Sequence, residues 1–270
     1  MTKWKPKSSD ELVGNNTLVS TVRGFLKQWE AIHIHGQSPK PIPGAGTKNI
    51  DLAKFKSILL SGPPGIGKTS SATIIARECG FRAVEVNASD SRGKSDSKIL
   101  NGMNNKLANG ISELCTNTSI GGQKTCIIMD EVDGMSGGDR GGVQELIQNI
   151  KKSKIPIICI CNDKYSQKLK SLRNHVIQLD FRKPTAQQII KRAAHICAVE
   201  GLKTNDAALS RLIEMTNGDI RMVLNQLQLI RVRKDTFTFD DLKVQNIYFS
   251  ILLFTSFSAS SYYFLNFSCN

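Results

Sequence analysis

SILLSGPPGIGKT, residues 57–69, is the stretch that decides the fold of this chain. Three adjacent apolar residues, Ile58, Leu59 and Leu60, with no polar alternation, read as a strand covered on both faces. The residues that follow, Gly62, Pro63, Pro64, Gly65, Ile66, Gly67, Lys68 and Thr69, keep the spacing GxxxxGK[ST], and residues 68–79 carry a helical pattern. A glycine-rich loop between a buried strand and a helix wraps backbone N–H groups around phosphates, where the helix dipole favours negative charge. Lys68 then reaches the β and γ phosphates, while Thr69, followed by Ser70, offers a hydroxyl to magnesium. The expected ligands are ATP and Mg2+.

Outward from this loop, short apolar runs alternate with helical stretches. AVEVNA (83–88), TCIIMD (125–130), PIICICN (156–162) and VIQLDF (176–181) read as further buried strands. Helices are expected at 17–32, 68–79, 96–114 and 142–151, the first opening after the polar turn Gly14, Asn15, Asn16, Thr17. This alternation predicts an α/β fold with a parallel sheet flanked by helices, over residues 1–183. Beyond Pro184 the strand pattern stops. Helical segments at 185–200, 205–216 and 219–233 predict a small all-helical lid domain over 184–243, with Thr204 or Asn205 as an N-cap and Asn217-Gly218 as a break.

A second set of polar residues falls at the ends of the strands, where open α/β sheets place ligands. Asp130, at the end of CIIMD and about 60 residues after the loop, would hold the metal. Glu131 would polarise a water for in-line attack on the γ phosphate. Asp133 is read as a cap of the next turn. Asn162 ends the PIICICN strand and places an amide beside the carboxylates. Arg221, in the first turn of a lid helix, can be aimed at the γ phosphate when the lid closes.

Composition bounds the rest. The 270 residues hold 36 Lys and Arg against 23 Asp and Glu, a net charge of +13 that points to a polyanionic partner. Seven scattered cysteines without CxxC spacing argue against a zinc site and for reduced thiols. Residues 35–51 hold three prolines and three glycines without apolar periodicity and read as a loop. No apolar h-region follows Met1, so no secretory signal is expected. Residues 244–270 carry no charged side chain and form a separate aromatic, serine-rich tail. Its longest apolar run, 247–257, is about half of the roughly 20 residues a membrane span needs, so no membrane association is expected.

GPPGIGKT (62–69), VEVNASDSRGKSD (84–96), MDEVDGM (129–135), the strand ending in Asn162 and GDIRMVLNQLQ (218–228) together resemble the AAA+ clamp loaders of the replication factor C family. DEVDGMSGGDRGGVQEL (130–146) and KIPIICICND (154–163) are similar to its large subunit in particular. The resemblance covers roughly residues 4–243. It implies an ATPase that works in a hetero-pentamer with small clamp-loader subunits, loads a sliding clamp onto primer-template DNA in replication and repair, and resides in the nucleus. KWKPKSSDELVGN (3–15) is similar to the segment that packs on adenine, which makes Lys5, Pro6, Val13 and Gly14 neighbours of the base or ribose. The family's helix after NASD follows the DNA backbone, which implies a phosphate role for Ser89, Ser91, Arg92, Lys94, Ser95 and Lys98.

Two departures qualify what the resemblance implies. Small subunits carry Ser-Arg-Cys as an arginine finger, whereas this sequence reads Ser171-Leu172-Arg173-Asn174, and no trans-acting role is given to Arg173. The collar and BRCT domains of the large subunit are absent from these 270 residues, so a truncated chain is expected. Two alternatives stay open: another AAA+ DNA remodeller, such as a Holliday-junction helicase, or an ATP-binding fragment with weak or no turnover when isolated. The latter follows because hydrolysis at such sites generally needs an arginine from a neighbour.

Overall fold

The computed structural model describes residues 2–42, 51–88, 119–120, 123–135, 142–239 and 241–242. The expected helix at 96–114, the tail at 244–270 and all six residues given a DNA-backbone role (Ser89, Ser91, Arg92, Lys94, Ser95, Lys98) lie outside them.

Helix α1 (Asn16–His33) buries Val19, Val22, Phe25, Leu26, Trp29 and Ile32, a stripe at three- and four-residue spacing. Its entry turn is fixed from outside. Asn15, at φ 56°, exchanges two hydrogen bonds with the backbone of Arg182, both 2.9 Å, which ties α1 to the segment leaving the sheet.

The sheet contains β1 (Ser57–Ser61), β2 (Arg82–Asn87), β3 (Ser119–Ile120), β4 (Gln123–Asp130), β5 (Ile157–Cys161) and β6 (Ile177–Asp180). Its order is β2-β4-β5-β1-β6, all parallel, with β3 pairing antiparallel to β4. Adjacent residues of each strand enter opposite cores. Ile58, Leu60, Ile128, Ile158 and Ile160 pack with α1 and with α2 (Lys68–Glu78). Leu59, Ile127, Met129, Ile157 and Cys159 pack with Leu146, Ile147 and Ile150 of α3 (Gly142–Lys152). Both faces are therefore covered, which is why these strands read as unbroken apolar runs. Each such Ile or Leu stabilises the sheet by about 1.5–3 kcal/mol.

After Phe181 the chain enters the helical lid: α4 (Ala186–Val199), α5 (Asp206–Met215) and α6 (Ile220–Arg233). Each start carries its own cap. Thr185 and Gln188 form a capping box, Asn205 accepts from Ala208 N, and Asp219 accepts from Met222 N. Asn217 and Gly218 both adopt positive φ, 53° and 72°, which turns the chain between α5 and α6. The strand pattern does not end fully at Pro184. β7 (Lys203–Thr204) and β8 (Thr236–Phe237) pair in parallel inside the lid, but two residues are too few for a period to show in sequence.

Cys126, Cys159, Cys161 and Cys197 are buried and Cys79 half-buried, all as thiols. Burial pushes the Cys161 thiol up to about 12 and Cys126 higher still. Among the described residues no helix is long and apolar enough to cross a membrane.

Candidate functional site

Because the strands run parallel, β1, β4 and β5 all end on one edge of the sheet and deliver their following residues to one place. From β1 the chain turns sharply at Gly62, φ 142°, where any Cβ would lie 2.3 Å from the Phe181 carbonyl. It then circles through Gly65 and Gly67, φ 72° and 89°, into the first turn of α2.

Lys68 begins that helix and its side chain folds back over the loop. Its ammonium donates to the carbonyls of Gly62 (2.6 Å) and Pro63 (2.8 Å) and to Asn162 Oδ1 (3.0 Å). The residue is only 6% exposed, and this burial lowers its pKa, with Asp130 nearby opposing the shift and Arg221 adding to it. Next to it, Thr69 Oγ1 donates to Asp130 Oδ2 at 2.6 Å, and Asp130 Oδ1 accepts from Glu131 N at 2.9 Å. A hydroxyl and a carboxylate already in contact form a hard-oxygen pair of the kind a divalent cation takes.

Glu131 is exposed, sits at φ 55°, and its Oε2 lies 3.4 Å from Asn87 Nδ2 on the neighbouring strand. Asp133, read from the sequence as a cap of the next turn, has a long-range partner. Its Oδ2 accepts from the backbone N–H groups of Asn162 (2.9 Å) and Asp163 (3.1 Å), so it ties the end of β5 to the turn after β4. A turn role was the natural reading of Asp after a strand. The tertiary partner, about 30 residues away, gave no local signal.

The Thr69–Asp130 pair borders a cavity of about 450 Å³, a size common for small-molecule sites. Gly65, Ile66, Gly67, Thr69, Ser70 and Asp130 line one end of it, and Arg221 enters from the lid. Lys5, Pro6, Val13 and Gly14 line the side formed by the N-terminal segment. Lys68, Asn162, Gly62 and Pro63 form the hydrogen-bonded cluster behind the loop, whereas Pro64 and Glu131 are exposed and do not line the cavity.

The lid is joined to the loop directly. Ile220 N donates to Gly65 O at 3.2 Å, and the Asp219 carboxylate lies where a Cβ on Gly65 would fall. The N-terminal segment bridges both bodies. Trp4 Nε1 donates to Glu200 at 2.6 Å and Arg192 pairs with Glu11 at 3.1 Å on the lid side, while Ser9 N donates to Glu78 at 2.8 Å on α2. Sequence reasoning missed Trp4, Glu11, Arg192, Asp219 and also Glu85, which lines the cavity from β2. Of these, only Asp219 had a local signal, as an N-cap after Asn-Gly.

Comparison with known proteins bears on these geometries. Residues 58–182 match the ATPase family associated with various cellular activities (AAA), and residues 186–244 match the RFC1-like AAA+ ATPase lid domain. The chain is similar to replication factor C subunit 1 of Arabidopsis thaliana, 50% identical over 248 residues covering 89% of this chain and 26% of the relative. It is 37% identical to the Homo sapiens subunit 1 over 90% of this chain and 22% of the relative. With the replication factor C large subunit of Methanococcus aeolicus it shares 33% identity over 91% of this chain and 45% of the relative. The chain thus spans between about a fifth and a half of the length of these curated relatives. The Thermotoga maritima RuvB Holliday junction branch migration motor superposes with a TM-score of 0.60 over 90% of this chain and 72% of that one, at 20% identity, a likeness of fold alone.

Proposed function

The chain belongs to the AAA+ ATPases, on the branch of the replication factor C large subunit, and from that premise we propose that it binds ATP with Mg2+ and powers loading of a sliding clamp onto primer-template DNA. The observation that carries the reading is one cavity bordered by the Thr69–Asp130 pair, with the Lys68–Asn162 pair behind the loop and Arg221 entering from a lid of the RFC1-like type.

Each residue has a distinct task. Lys68 exchanges the loop carbonyls and Asn162 Oδ1 for phosphate oxygens, which leaves the Asn162 amide free to orient either a γ-phosphate oxygen or the attacking water. Thr69 and Asp130 hold the divalent cation, which when bound neutralises charge on the β and γ phosphates. Glu131 takes a proton from water as general base. Arg221 offers a planar, permanently charged donor set to the γ phosphate when the lid is closed. Lys5, Pro6, Val13 and Gly14 pack on the base or ribose.

On this reading the working unit is a nuclear hetero-pentamer with small clamp-loader subunits, and the surplus of 13 positive charges serves DNA. The test is ATP turnover by the chain mixed with four small clamp-loader subunits, with and without primed DNA and clamp. Stimulation that requires this chain supports the loader reading. Tight ATP binding with no stimulation by clamp or DNA would replace it with an ATP-binding fragment.

A further inference from the structure

Glu85 stands on β2 two residues before Asn87, so both side chains project from the same face of the strand. That face meets α2. Thr73 Oγ1 donates to Glu85 Oε1 at 2.7 Å and is also 2.9 Å from the backbone carbonyl of Thr69. Thr69 in turn donates its own hydroxyl to Asp130 at 2.6 Å, and Asp130 is the ladder partner of Asn87. Glu85, Thr73, Thr69 and Asp130 all line the same cavity. A second carboxylate, given no role by the loop or the β4 strand end, therefore shares the buried Thr73 hydroxyl with the backbone carbonyl of Thr69, the residue that holds Asp130.

An ionised carboxylate is an acceptor with about four lone-pair sites, and Thr73 occupies one of them. Glu85 is itself exposed toward the cavity rather than sealed in the core. Water molecules on a divalent cation at Thr69 and Asp130 are donors that need acceptors of this kind, because Mg2+ sheds its waters reluctantly. We propose that Glu85 is a positioning residue for the metal: it accepts hydrogen bonds from cation-bound water and, through Thr73, fixes the turn of α2 that carries Thr69. The proposal rests on the nucleotide-and-metal reading given above.

The test uses the whole chain, Mn2+ as the metal probe and ADP as the nucleotide, with bound Mn2+ read by electron paramagnetic resonance. Nucleotide affinity without metal is read separately in EDTA with a fluorescent ADP. Glu85→Gln keeps an acceptor for Thr73 but removes the charge. Loss of groups that support metal ligands commonly weakens binding by about 10–100-fold, so a drop of at least about tenfold in Mn2+ affinity is expected, with metal-free nucleotide affinity unchanged. Glu85→Asp, which retains the charge, is expected to recover part of the loss. Equal weakening with and without metal would mean a purely structural tether and overturn the proposal, as would unchanged Mn2+ affinity in Glu85→Gln. Failure of the unmodified chain to bind ADP at all would overturn the nucleotide reading itself, a distinct result.

Discussion

The Lys68 ammonium donates to Asn162 Oδ1 at 3.0 Å across 94 residues of sequence, joining the loop after β1 to the end of β5. Two loop carbonyls complete its shell, so the cation is held by neutral acceptors in a place that excludes most water. Asp133, gripping the backbone at Asn162 and Asp163, fixes the strand end on which that acceptor stands.

Burial lowers the pKa of Lys68 below its usual 10.5, so between the lowered value and 10.5 the unfolded chain binds more protons than the folded one. Stability from this group therefore rises with pH through that window, and below it the buried charge costs stability. Lys68→Met, of similar length and no charge, is expected to raise the Tm of the ligand-free protein while abolishing the Tm increase that ATP gives. Lys68→Ala likewise loses ATP binding. Calorimetry decides the matter: a lower Tm for Lys68→Met would show that the three hydrogen bonds outweigh the cost of burial.

Glu131 is exposed and does not line the cavity, and the role proposed for it is to act on water rather than to hold nucleotide. Glu131→Gln is expected to leave ATP affinity intact and to lower turnover by about 10²–10⁴-fold, the usual contribution of a general base. Paired titration and phosphate-release assays check both halves. Retained turnover would remove the role assigned to this carboxylate.

What could be read in advance follows a physical line. Ile58 to Leu60 and Ile157 to Cys161 announce themselves because a strand covered on both faces has no polar alternation, and Gly62 to Thr69 because phosphate wrapping demands those residue types in that order. Asp130 and Asn162 were legible because parallel strands all end on one edge of the sheet. Glu85 and Arg192 were not, since their partners Thr73 and Glu11 are supplied by tertiary folding, the latter across 181 residues. An acidic residue mid-strand or an arginine mid-helix otherwise reads as a solvated charge.

His33, at the end of α1, packs against Trp29 with ring centroids 5.1 Å apart, and its Nε2 is buried without a hydrogen-bond partner among the described residues. Burial, with Lys56 second, lowers its pKa below 6.5, against the pull of hydrogen bonds to the backbone at Phe55 and Leu52. Below pH 6.5 the unfolded chain takes up this proton before the folded one does, so stability is lost as pH falls from 6.5 toward the lowered value. His33→Gln is expected to flatten that part of the curve. Urea unfolding at pH 7.5 and 5.5 measures it, and an equal acid loss in both proteins would exclude His33 as the source.

Gly65 is the point where the loop touches the lid, and its replacement tests whether that contact matters to nucleotide binding. Its φ of 72° strains any L side chain, and a Cβ there would fall 2.0 Å from Cγ of Asp219. Asp219 cannot withdraw cheaply, because its Oδ1 accepts from Met222 N at 3.1 Å to cap α6, and the next residue donates from Ile220 N to Gly65 O. The methyl group must therefore either break the cap, which costs about 0.5–2 kcal/mol, or push the start of α6 outward together with Arg221. In both cases the lid loses its seat on the loop while the Thr69–Asp130 pair stays in place. Gly65→Ala is expected to weaken ATP more than ADP, since Arg221 is assigned to the γ phosphate, and Asp219→Ala in the same chain should restore part of the difference by removing the clash. Equal loss for both nucleotides would mean that the substitution damages the loop alone.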